Sequence, residues 1–94
     1  MRWPEWQSIG EEERKRLCQQ LSPYEDWSVF KEVEKAFLSE FGSQEGIAKI
    51  FCGVGGGLGG LNSVTVSLAK GKKPTTLPES FMGFPIIRAY EKTA

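Results

Sequence analysis

The sequence predicts an α+β fold, with two N-terminal helices packed on one face of a small, mostly antiparallel three-stranded sheet. Three observations predict it. Two serine–glutamate pairs mark helix starts in the first third of the chain. Apolar residues then recur every three or four positions as far as Phe41, and after Gly46 the period drops to two. The 94 residues form a single domain, with a helical half over about 8–42 and a strand half over about 46–91.

Ser8 and Glu11 fit a capping box, in which each side chain satisfies an orphan backbone N–H of the first turn. Glu11, Glu12 and Glu13 then occupy the end of the helix dipole that favours negative charge. Arg14, Lys15 and Arg16 follow, placing Glu11 with Lys15 and Glu12 with Arg16 at i,i+4 spacing. Ile9, Leu17 and Leu21 make a thin apolar stripe, so this helix needs a larger element to pack on. Ser22-Pro23-Tyr24-Glu25 repeats the start signal, with proline at the first helical position. The second helix is predicted from about Pro23 or Asp26 to Phe41, with Trp27, Phe30, Val33, Phe37 and Phe41 on its buried face. Gly42 is expected to end it in the left-handed conformation.

Residues 47–54 read as a strand with Ala48, Ile50, Cys52 and Val54 on one face. Residues 62–68 alternate cleanly, with Val64, Val66 and Leu68 inward and Ser63, Thr65 and Ser67 outward. Leu77 to Met82 is expected to form one helical turn. Phe84 to Tyr90 reads as a third strand, at an edge because Pro85 lacks an N–H.

Composition narrows the function. Apolar residues make up 39% and charged residues 26%, which is globular. Twelve basic residues balance twelve acidic ones, so no global field attracts nucleic acid or an acidic membrane. The N-terminus lacks the apolar stretch of a signal peptide, and no apolar run approaches the roughly 18 residues needed to cross a bilayer. A cytoplasmic location is expected. Cys18 and Cys52 then read as reduced, buried thiols, the alternative being a single disulfide between them. There is no histidine, which removes the commonest general base and the commonest metal ligand. No metal site, catalytic residue or cofactor is expected; a weaker idea, catalysis by a carboxylate such as Glu79, has no partner residues.

Gly55, Gly57 and Gly60 match the Gly-x-Gly-x-x-Gly spacing of dinucleotide-binding loops. Those loops open a helix whose N-terminus holds the pyrophosphate, whereas Ser63-Val64-Thr65-Val66 follows here as strand. A hairpin connection is the favoured reading. The alternative is a small-anion binder, in which exposed loop amides and Lys70, Lys72 and Lys73 close on a phosphate or carboxylate. Leu58 and Leu61, in a loop otherwise almost free of side chains, either tuck onto the core or meet a partner. Trp3 and Trp6 pose the same choice, packing or interface. The outward positions Ser63, Thr65 and Ser67 lack the aromatic rings of a single-strand nucleic-acid platform.

Gly53-Val54-Gly55, Val64-Thr65-Val66, Leu77-Pro78 and Gly83-Phe84-Pro85-Ile86 give residues 47–91 a partial likeness to a known element. That half of the chain resembles the short β element preceding trypsin-like peptidase domains in some bacterial proteins. The departure is large, since without histidine no peptidase activity is implied; the likeness implies an accessory or binding module. The paired helices and small sheet are also similar in type to stand-alone proteins of mobile bacterial gene cassettes. Residues and resemblance together predict a non-enzymatic protein-interaction or regulatory module, with a protein partner or self-association through an edge of the small sheet or through the glycine loop.

Overall fold

The computed structural model describes residues 1–55, 60–69 and 76–90. Three helices precede the sheet: α1 (Trp3–Ser8), α2 (Glu11–Leu17), continued by a 3-10 turn over Cys18–Gln20, and α3 (Trp27–Phe41). The strands are β1 (Ile47–Gly55), β2 (Leu61–Leu68), β3 (Ser80–Phe81) and β4 (Phe84–Tyr90), in the spatial order β1-β2-β4-β3. The fold is α+β as expected. The sheet, however, has four strands and is mixed: β1 pairs antiparallel to β2 and β3 to β4, while β2 and β4 run parallel. Residues 69–83 are a connection long enough to carry the chain back to the starting end of β2, as a parallel pair requires.

Two local expectations fail for identifiable reasons. Ser8 ends α1 instead of capping α2: its hydroxyl donates to the Glu5 carbonyl at 2.8 Å, and Gly10 occupies the N-cap of α2. The missed helix α1 carries its own signal, since Pro4 lies in its first turn and the Glu5 carboxylate accepts the Arg2 N–H. Residues 80–83 are not helical. They form a tight hairpin in which Phe81 pairs with Phe84, and Met82 (φ 51°) and Gly83 (φ 86°) both adopt left-handed backbone. Gly42, by contrast, ends α3 in right-handed geometry (φ −64°).

Burial follows the faces. Val29, Phe30, Val33 and Phe37 of α3 pack on Ile50, Cys52, Val64, Val66, Leu68 and Phe84 of the sheet. Trp27 faces solvent, 58% exposed, because it lies off that stripe. A bulge between Ile47 and Lys49 shifts the phase of β1, so Ile47 packs on the core and Ala48 is exposed. Pro85 precedes Ile86, the first β4 residue paired to β2, so its missing N–H breaks no ladder bond although β4 is interior.

The helices dock on the β3–β4 turn. Trp6 Nε1 donates to the Met82 carbonyl at 2.9 Å, and the Glu11 carboxylate accepts the Gly83 N–H at 2.7 Å. Arg14 closes the join by donating to the carbonyls of Trp6 and Gln7 at the end of α1, both at 2.8 Å. A Cβ on Gly83 would lie 2.5–2.9 Å from Arg14 atoms, including its carbonyl oxygen. At the start of β2, buried Asn62 donates to the carbonyls of Cys18 and Leu21 (2.8 and 2.9 Å). The Gln19 amide pairs with the Asn62 backbone, donating to its carbonyl and accepting from its N–H, both at 2.8 Å. It occupies the place of a neighbouring strand where β4 has not yet begun.

Gly83→Ala is expected to cost about 2 kcal/mol or more, combining left-handed strain with the Arg14 clash. Asn62→Ala removes the side-chain donor from the Cys18 and Leu21 carbonyls, of which Cys18 keeps the Leu21 N–H, and is expected to cost about 1–3 kcal/mol. Urea unfolding followed by tryptophan fluorescence measures both.

Candidate interaction surface

The register of β1 decides which of its backbone groups face outward. In an antiparallel pair, alternate residues turn N–H and C=O toward the neighbour or away from it. The Cys52 N–H donates to the Glu34 carboxylate of α3 at 3.3 Å, so it points away from β2. Ile50 and Val54, two residues to either side, share that direction. Among the described residues, no strand pairs with this edge of β1. At the other end of the sheet β4 is flanked by β3 and by residues 77–79. There the Ile86 N–H donates to the Glu79 carbonyl (3.0 Å) and Arg88 reaches the Leu77 carbonyl (3.4 Å).

Exposed apolar side chains surround the open edge. Phe51 is 48% exposed on the outer face of the sheet and Leu38 47% exposed on α3, with Val54 near the end of β1 and Leu61 at the start of β2 also exposed. Gly53 lies directly beneath the Phe51 ring, and a Cβ there would come within 2.6 Å of it. Ser63, opposite Gly53 in register, is wholly buried although it belongs to the predicted outward set. The absent side chain at Gly53 lets the ring lie flat.

The residues singled out from the sequence fall in several places. Gly55 ends β1 opposite Leu61, and Gly60 (φ 84°) precedes β2, so a strand follows the glycines. Gly57 and Leu58 lie outside the described residues, as do Lys70, Lys72 and Lys73. Trp6 is a core residue, with its ring 5.9 Å from Phe84 and no exposed surface. Trp3 is half-buried and lines an open groove of about 760 Å³ together with Met1, Glu5, Glu25, Trp27 and Glu32. Glu34, which no sequence pattern marked, holds the edge of β1; its only signal was a charged position next to the apolar stripe of α3.

Beside the groove, Asp26 is buried and accepts hydrogen bonds from the Met1 ammonium and, at 2.7 Å, from the Ser22 N–H. Burial raises its carboxyl pKa, but those donors outweigh burial and hold it below the ordinary value of 3.8. The hydrogen bond to Asp26 likewise raises the Met1 ammonium above 8.0 against desolvation. Both cysteines are free and buried. Burial pushes the Cys18 thiol up to about 12; burial, then the charge of Glu34 and Cys18 itself, push Cys52 up as well. Neither offers a thiolate at neutral pH. Among the described residues no three His, Cys, Asp or Glu side chains are grouped to hold a metal, and no helix is long and apolar enough to cross a membrane.

Two measurements follow from these groups. The depressed Asp26 pKa contributes stability above about pH 4 that is lost as pH falls through the folded value. The raised ammonium contributes stability below about pH 8 that is lost as pH rises through its folded value. Asp26→Asn should therefore flatten both flanks of a plot of urea midpoint against pH. At pH 8 both thiols should resist iodoacetamide in the native state and react fully in denaturant, as read by mass spectrometry.

No protein-family model, curated protein or solved structure matches this chain.

Proposed function

We propose that the chain is a non-catalytic protein-interaction module that receives an extended segment along the open edge of β1. One observation carries this reading: Ile50, Cys52 and Val54 turn their backbone groups outward, and among the described residues the Glu34 side chain, not a strand, meets them. A strand added there would form backbone hydrogen bonds at each of these residues, while Phe51 and Leu38 supply apolar contact above and below the edge. The residue inventory supports the non-catalytic half of the reading, since the chain has no histidine and its thiols are held protonated. Soluble, edge-bearing domains of this size commonly protect such a strand, and the carboxylate of Glu34 is a weak protector that a backbone can replace.

Val54→Pro removes an outward N–H and leaves the β1–β2 ladder intact, because Val54 directs that group away from β2. Proteins captured on the immobilised wild-type chain and lost on a folded Val54→Pro chain are the expected result. Capture of the same set by both chains would remove the edge from the function.

A further inference from the structure

We draw no further inference here: the strongest candidate, the open groove between α1 and the start of α3 lined by Trp3, Trp27, Glu5, Glu25 and Glu32, carries nothing because Arg2, Lys31 and Lys35 already balance its three carboxylates and nothing in the structure shows what fills it.

Discussion

Helices and sheet are joined at the Met82–Gly83 turn, and most of the architecture depends on that join. Trp6 reaches it from α1 through an indole hydrogen bond, Glu11 from α2 through its carboxylate, and Arg14 ties both helices together while pressing against Gly83. The flanking aromatic residues extend the grip. Phe84 packs between Trp6 and Phe30, and Phe81 lies edge-on to Phe37 and Phe41. The two-residue strand β3 would be marginal by itself. Here it is held by rings from α3 on its inner face and by helix ends at its turn. The left-handed conformation of Met82, unusual for a residue with a side chain, is the one a two-residue hairpin turn takes at both central positions, and the Met82 carbonyl accepts the indole N–H there.

From that join the sheet runs out to β1, the longer of its two edge strands. With α3 packed across the inner face and β3 occupying one end, β1 is left as the long outer strand. Its protection is slight: one carboxylate, one bulge and an exposed lysine at position 49. The groove between α1 and α3 is a different kind of surface, broad and lined by rings and carboxylates, with its nearest ion pair already closed between Met1 and Asp26.

The elements with strong periodicity were legible in the sequence. The apolar run of α3 located the helix to within a residue or so of its true end, and the alternation of residues 62–68 located β2. Phe84 to Tyr90 likewise formed the strand that its composition suggested. What failed depended on contacts distant in sequence. Ser8 and Ser22 carry the same cap signal, yet Ser8 closes α1, whose Trp6 is buried, and the Ser22 hydroxyl accepts the Tyr24 and Glu25 N–H groups in a turn before α3. The parallel pairing of β2 and β4 leaves no local mark, since both directions use the same residue alternation. The open edge was partly legible: a small sheet must have edges, but which strand bears one, and that Glu34 covers it, comes only from strand order. Ser63, expected outward, is buried on the strand beside Gly53, over which the Phe51 ring lies, a placement that its alternation with Val64 does not mark.

The parallel pairing of β2 with β4 also sets an order of assembly. β2 follows β1 closely in sequence, so that hairpin can form early, whereas the parallel pairing with β4 joins residues 22 positions apart and comes later. Until it does, the central strand is itself an edge, with Val64, Val66 and Leu68 awaiting cover and a row of unpaired backbone groups beside them. From the helical side, the Gln19 amide fills the first position of that row, at Asn62. That amide is a placeholder for the ladder, shortening the exposed stretch during the interval in which a stray strand could take the seat meant for β4.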